Sequence, residues 1–221
     1  MRTQARAFTL PLSYRYDLAL PERLGGPLLV TLHGYGQSKR ASLAYGRRIG
    51  QDWPLAALQA PHPHHRWRQD GSRETGYGWV SDEAPEEDVG NHHLFVEGVI
   101  ERVYEDGLIA QPSAFLFGFS QAVSLNYRFA ATHPERVLGL VAVAGATPSL
   151  WLEAPPPRLE LPVLHLAMTE DAAYPLERAR GFRGVLEAFT SRLSWFEPGG
   201  GHRVPRAAYP LIRDWLAAHA V

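Results

Sequence analysis

Cysteine is missing from the 221-residue sequence, and lysine is almost missing, since Lys39 is the single lysine among 22 basic residues. Without cysteine the chain can form no disulfide, thiolate metal site or iron–sulfur cluster, and it has no cysteine nucleophile. The net charge is also small, at -1 when histidine is counted as neutral. Charge therefore gives no reason to expect nucleic acid or an anionic membrane as the main partner.

Long apolar runs are missing as well. No uninterrupted run approaches the roughly 18 residues of a membrane-spanning helix, so membrane insertion is not expected. The first residues lack the apolar segment of a signal peptide, which predicts a cytoplasmic protein. Hydrophobic residues make up 45% and charged residues 20%, as in ordinary globular proteins. We expect one domain, residues 1–221, because α/β domains often exceed 200 residues.

Short apolar runs alternate with helical patterns along the chain. Such runs are typical of strands buried on both faces, and the alternation predicts an α/β fold with a mostly parallel sheet and helices on both faces. Residues 8–20 predict two short strands at an antiparallel edge. The predicted buried strands are 27–32, 55–59, 114–119, 137–144, 162–167 and 193–196, and the predicted helices are 38–49, 88–105, 120–132, 176–189 and 205–218.

Two segments that connect predicted elements are relevant to where a functional site can lie. Residues 61–88 are rich in Pro, Gly and polar residues and predict a long irregular loop, which in a compact domain is usually functional. Fewer than about 20 residues separate the strand that ends near Ala144 from the next one. No large cap domain fits there.

The first chemical motif is a serine between a predicted strand and a predicted helix. Residues 118–122 read GFSQA, close to the G-x-S-x-G pattern in which small residues allow the sharp turn that exposes a nucleophilic serine. This context favours Ser120 as a nucleophile. The alternative is that Ser120 only caps the helix.

Two further motifs follow later strands. Residues 169–175 read TEDAAYP, in which Asp171 can orient a histidine. Glu170 is a competing acid, and the alternative is that the acid only caps the helix that follows. Residues 197–202 read EPGGGH, and the glycines let His202 fold back as a general base rather than stay on a surface turn. Ser120, Asp171 and His202 follow one another in the order that α/β-hydrolases use. We therefore predict a catalytic triad.

An oxyanion hole needs two backbone N–H donors, one of them from the residue after the nucleophile. That residue is Gln121. The second donor is expected from residues 33–37, which read HGYGQ after an early strand, and we assign it to Tyr35. His33 is interpreted as a structural histidine beneath this loop rather than as a catalytic one.

Trp67, Tyr77 and Trp79 are the candidates for an apolar substrate pocket, although Trp79 could equally be a buried anchor. Three other histidines, His62, His64 and His65, lack metal-ligand spacing, and no metal site is predicted. His92 and His93 are expected to be exposed polar residues on their helix.

These motifs together resemble the phospholipase/carboxylesterase group of α/β-hydrolases, which includes acyl-protein thioesterases. The resemblance runs from Leu28 onward and rests on LHGYGQ at 32–37, GFSQA, Asp171 with Pro175, and GGH at 200–202. This sequence departs from the group at two places. Ala122 stands where the group usually has glycine, and residues 168–170 (Met-Thr-Glu) contain no glycine where the group usually has one near the strand end. The resemblance implies a serine hydrolase that acts on esters or thioesters and needs no cofactor and no metal.

Three hypotheses about function follow. The first is a carboxylesterase for small-molecule esters with short or medium acyl chains, acting through an acyl-enzyme intermediate. The second is a thioesterase or lysophospholipase. The third is a non-catalytic binding protein with a hydrolase fold, because a fold does not determine a function. Whether the chain forms a homodimer stays open.

Overall fold

A seven-stranded sheet forms the centre of the protein in a computed structural model, which describes Gln4 and residues 12–50, 52–67 and 70–220. All neighbouring strands are parallel except β1, which is antiparallel to β3 at one end of the sheet. The strands lie in the order β1 (Tyr16–Ala19), β3 (Leu55–Leu58), β2 (Leu28–Leu32), β6 (Ala114–Phe119), β7 (Val137–Val143), β8 (Leu159–Leu166) and β9 (Thr190–Phe196). The predicted mostly parallel sheet is confirmed, and one of the two strands expected over residues 8–20 is β1; residues 5–11 lie outside the described residues.

Within the described residues, five α-helices cover both faces of this sheet, as the sequence predicts. One apolar core contains residues of α1 and α5, and a second contains residues of α2, α3 and α4. The helices are α1 (Lys39–Ile49), α2 (Pro85–Glu105), α3 (Gln121–Thr132), α4 (Leu176–Phe189) and α5 (Ala208–His219).

Burial on both faces explains why the central strands are apolar throughout. In β2, Leu28 and Val30 belong to the core beneath α2 and α3, while Leu29 belongs to the core beneath α1 and α5. In β6 the ring of Phe115 stacks on Trp53 and meets the edge of Trp215. Alternating side chains of one strand thus enter opposite cores.

The segment 61–88 differs from its prediction as a long irregular loop. It contains a hairpin of β4 (His62–Trp67) and β5 (Arg73–Gly78). The hairpin joins the loop after β2, because Gly36 N–H donates to Tyr77 O at 2.9 Å and Tyr77 N–H donates to Gln37 O at 2.9 Å. Its Pro, Gly and His residues carry little strand signal, and the strands form through pairing instead.

The prediction of exposed His92 and His93 is wrong. His92 is 1% exposed and meets the rings of Trp79 and His93, while His93 packs against Phe129 of α3. The reason is that α3 and the segment after β5 cover this side of α2. Burial lowers the pKa of His93 to about 4 and that of His92 well below its usual value.

The connection from β7 to β8 holds a single 3-10 turn, Ser149–Leu152, within fully described residues. A large cap domain is therefore not inserted there, as predicted. Among the residues that the structure describes, no helix is long and apolar enough to cross a membrane.

Candidate active site

Ser120 lies in a strained turn between β6 and α3. Its φ of 55° and ψ of -115° are unusual for a residue with a side chain, and such a conformation costs about 1–3 kcal/mol. Ser120 N–H donates to Val143 O of the adjacent strand at 3.0 Å. The side chain stands at the N-terminus of α3 but forms no capping hydrogen bond. The interpretation of Ser120 as only a helix cap therefore has no support.

Close backbone packing on both sides holds this turn. A Cβ at Gly118 would lie 2.8 Å from Asn126 Nδ2 and 3.2 Å from the backbone O of Ala122. A Cβ at Gly145, just after β7, would lie 2.6 Å from the backbone O of Ser120. The sequence motif indicated the need for glycine at 118, whereas only the fold shows that Gly145 meets the same turn.

The three side chains of the predicted triad are in contact. His202 Nε2 is 2.8 Å from Ser120 Oγ, and His202 Nδ1 is 2.8 Å from Asp171 Oδ2. An ionised carboxylate only accepts hydrogen bonds, so the Nδ1–H of His202 donates to Asp171. Nε2 is then free to accept the hydroxyl proton of Ser120, which is the arrangement that a general base requires.

Asp171, and not Glu170, is the acid that contacts the histidine. Asp171 is 4% exposed, and its Oδ1 accepts hydrogen bonds from Ala173 N–H at 2.8 Å and Tyr174 N–H at 3.0 Å. These two backbone donors fix the orientation of the carboxyl group. The side chain of Glu170 is exposed, while its backbone N–H donates to Gly200 O at 3.0 Å. Glu170 thus joins the loops that carry the acid and the histidine.

The loop after β2 lies against Ser120. A Cβ at Gly34 would lie 3.1 Å from Ser120 Cβ and 2.7 Å from Phe119 Cδ1. The side chain of Gln37 links this loop to α1. Its Oε1 accepts a hydrogen bond from Gly34 N–H at 3.1 Å, and its Nε2 donates to Tyr45 Oη at 2.9 Å. The sequence alone pointed to no role for Gln37, because nothing local shows that its side chain turns back onto its own loop.

The two predicted oxyanion donors belong to elements that adjoin Ser120. Gln121 is the first residue of α3, where backbone N–H groups have no acceptor within the helix. Its side-chain Oε1 accepts from Trp79 N–H at 2.9 Å. Tyr35 belongs to the loop after β2, and in the described part of the chain its N–H donates to no acceptor.

No protein-family model matches the sequence, and no curated protein does. Solved structures do match: a Bacillus cereus carboxylesterase (TM-score 0.73, 13% identity, 93% of this chain and 94% of that one) and a Zea mays acyl-protein thioesterase 2 (0.70, 14%, 94% and 99%). A Mesorhizobium loti carboxylesterase is similar (0.70, 18%, 92% and 94%). The chain has the α/β-hydrolase fold.

Within this hydrolase fold, two of the three predicted pocket residues do not form a pocket. Trp79 is 1% exposed and its Nε1–H donates to His33 O at 2.8 Å, so it is a buried anchor. Trp67 is 75% exposed and pairs with Arg73 at the far end of the hairpin from Tyr77. Trp67 lies four residues, or about 13 Å, along β4 from Pro63, which pairs with Tyr77.

Tyr77 lines a cavity of about 250 Å³ together with Tyr14 and Gln59, at the side of the sheet where β1 and β3 pair. Tyr35, on the loop beside Ser120, is 62% exposed, and its ring stacks on that of His64 at 4.4 Å between centroids. Phe119 and Tyr174, whose ring centroids lie 5.1 Å and 5.7 Å from that of His202, are aromatic neighbours of the site that the sequence did not indicate.

The remaining histidines of this region have separate partners. His62 Nε2 is 2.7 Å from Asp88 Oδ1, and His65 Nδ1 is 3.0 Å from Thr75 Oγ1. His33 Nδ1–H donates to Gly34 O at 2.8 Å, and burial lowers its pKa to about 4, so it is a neutral, structural group at pH 7. In the described ranges no three His, Asp or Glu side chains come together as metal ligands.

Proposed function

We propose that the protein is a serine hydrolase of the phospholipase/carboxylesterase family that cleaves small-molecule carboxylic esters with short or medium acyl chains. The chief support is the continuous contact from Ser120 through His202 to Asp171 at the carboxyl edge of a parallel sheet. The names of similar structures, two carboxylesterases and an acyl-protein thioesterase, support the same class of reaction.

The first half of the reaction forms an acyl-enzyme. His202 Nε2 accepts the proton of Ser120 Oγ as that oxygen attacks the ester carbonyl, and Asp171 stabilises the imidazolium. The N–H groups of Gln121 and Tyr35 donate to the oxyanion, each contributing about 3 kcal/mol. The C–O bond to the alcohol then breaks, and His202 gives its proton to the leaving oxygen.

The second half returns the enzyme to its starting state. A water molecule loses a proton to His202 as it attacks the acyl carbon, and the bond to Ser120 Oγ breaks. His202 then returns the proton to Ser120, and the carboxylic acid leaves. His202 and water carry every proton, so no cofactor takes part in this scheme.

Covalent labelling tests the nucleophile directly. A fluorophosphonate probe, followed by peptide mapping, should modify Ser120, and Ser120→Ala should abolish labelling and lower kcat for p-nitrophenyl butyrate by about 10⁴-fold or more. Ser149→Ala is the matched control, since Ser149 is an exposed serine on the loop after β7. Folded protein that is not labelled would contradict the hydrolase assignment and favour a non-catalytic binding protein.

A thioesterase or lysophospholipase is the second candidate, favoured by the similarity to a Zea mays acyl-protein thioesterase. The ratio of kcat/KM for butyryl-CoA to that for p-nitrophenyl butyrate distinguishes thioester from ester preference. A chain-length series of p-nitrophenyl esters should peak at short or medium acyl groups for the first candidate. A lysophospholipid that is cleaved faster than any simple ester would favour the second.

The remaining expectations stay predictions of the same proposal. Residues 1–221 form one hydrolase domain, the protein acts in the cytoplasm, and neither nucleic acid nor membrane insertion is involved. Size-exclusion chromatography with light scattering would decide between a monomer and a homodimer.

A further inference from the structure

An arginine-rich cavity lies between the end of α1 and the start of α5. Its volume is about 430 Å³, and Arg48, Arg203 and Arg206 line it together with Val204, Pro205, Ala207 and Tyr209. None of these described lining residues is acidic. In the part of the chain that the structure describes, none of the three guanidinium groups forms an ion pair.

Three cations around one cavity repel each other unless an anion lies between them. The net charge of the whole chain is only -1, so this clustering is not a consequence of a generally basic surface. Arg48 is also held in place, since its guanidinium carbon lies 5.4 Å from the centroid of the Tyr209 ring. Such a contact orients the charge before any ligand arrives.

The ordinary roles of surface arginines do not explain the set. Arg48 belongs to the last turn of α1, where a basic residue complements the helix dipole. Arg203 and Arg206 precede the first turn of α5, which contains no acidic residue. Positive charge at that end opposes the helix dipole, whereas an anion there is stabilised by it.

We propose that this cavity binds a phosphorylated small molecule through its phosphate group. A phosphate dianion can accept paired hydrogen bonds from several guanidinium groups, and its double charge suits a site with three cations. A cavity of about 430 Å³ also has room for an organic part beyond the phosphate. This binding does not depend on the proposed hydrolase activity.

Isothermal titration calorimetry at constant ionic strength provides the test, with inorganic phosphate and glycerol 3-phosphate as probes. The parent protein should bind at least one probe saturably with one site per chain. Arg48→Gln and Arg206→Gln should each weaken binding tenfold or more. Arg47→Gln should not, because Arg47 is also exposed in the last turn of α1 but lines a different cavity.

The two probes distinguish the sources of the phosphate. Tighter binding of glycerol 3-phosphate would support an organic phosphate ligand, whereas tighter binding of inorganic phosphate would overturn that part of the proposal. No saturable binding of either probe, or an equal loss in Arg47→Gln, would overturn the site as a whole. Thermal melts without phosphate verify that each variant is folded.

Discussion

We expect the folded protein to lose stability as the pH falls from 6.5 towards 4, because it buries several histidines. His33 and His165 are both fully buried. Burial lowers the pKa of His33 to about 4 and that of His165 to about 3, from an ordinary value of 6.5. His92 and His93 shift in the same direction and also mainly through burial.

The sign follows from proton binding. In the unfolded chain each of these histidines takes up a proton near pH 6.5, whereas in the folded chain it stays neutral to a lower pH. Below pH 6.5 the unfolded state therefore binds more protons, and the free energy of unfolding falls by up to about 1.4 kcal/mol per pH unit for each histidine. For His165 alone, the loss between pH 6 and pH 5 is about 1.2 kcal/mol.

Urea unfolding at a series of pH values, with His165→Gln as the variant, measures this contribution. The decrease in the free energy of unfolding from pH 6 to pH 5 should be smaller than in the parent by about 1.2 kcal/mol. The comparison is made within each variant, so a lower stability of His165→Gln at pH 7 does not affect it.

Tyr127→Phe is the control for the cause of the shift. Tyr127 Oη lies 2.9 Å from His165 Nδ1, but burial alone lowers the pKa of His165. Tyr127→Phe should therefore keep the parent's pH dependence. If His165→Gln unfolds with an unchanged pH dependence, the folded protein does not hold His165 neutral and the reasoning is refuted. If Tyr127→Phe also flattens the profile, burial is not the cause.

Three further predictions concern the candidate site. Gly118→Ala should lower the free energy of unfolding by about 1–3 kcal/mol in urea titrations, because its Cβ would lie 2.8 Å from Asn126 Nδ2; unchanged stability would show that the turn can relax. Gly34→Ala should reduce kcat for p-nitrophenyl butyrate while the circular dichroism spectrum stays native, because its Cβ would press on Phe119 and Ser120; full activity would place the oxyanion donor elsewhere. Asp171→Asn should lower kcat by about 10⁴-fold, whereas Glu170→Gln should leave it near the parent value; the reverse result would exchange the two acids.

Local signals were sufficient for the strands of the central sheet that the structure describes and for the order of the chemical motifs. The apolar runs that became β2, β6, β7 and β8 are buried on both faces, and short apolar runs bounded by turn residues favour strands inside a sheet. Carboxyl ends of neighbouring parallel strands meet at one edge, so Ser120, Asp171 and His202 could be expected to converge there. The choice of Asp171 over Glu170 needed the structure, because adjacent side chains on a turn point in different directions.

Pairing and burial between distant segments were not visible in the sequence. The β4–β5 hairpin consists of residues with weak strand preference, and it exists because its backbone pairs with itself and with the loop after β2. The burial of His92 was not visible in the sequence for a similar reason. Whether a polar-aromatic side chain on a helix is exposed depends on what covers that helix, and here α3 and the end of the hairpin do so.

The sequence by itself determined the fold class, the strand-to-helix turn at Ser120 and the three side chains that meet at the sheet edge, because these depend on apolar periodicity and on short-range steric limits. Tertiary structure alone decided which acid and which aromatic rings contact His202, and that Arg48 joins Arg203 and Arg206 around one cavity. These residues come from segments far apart in the chain, and only packing sets the distances between them.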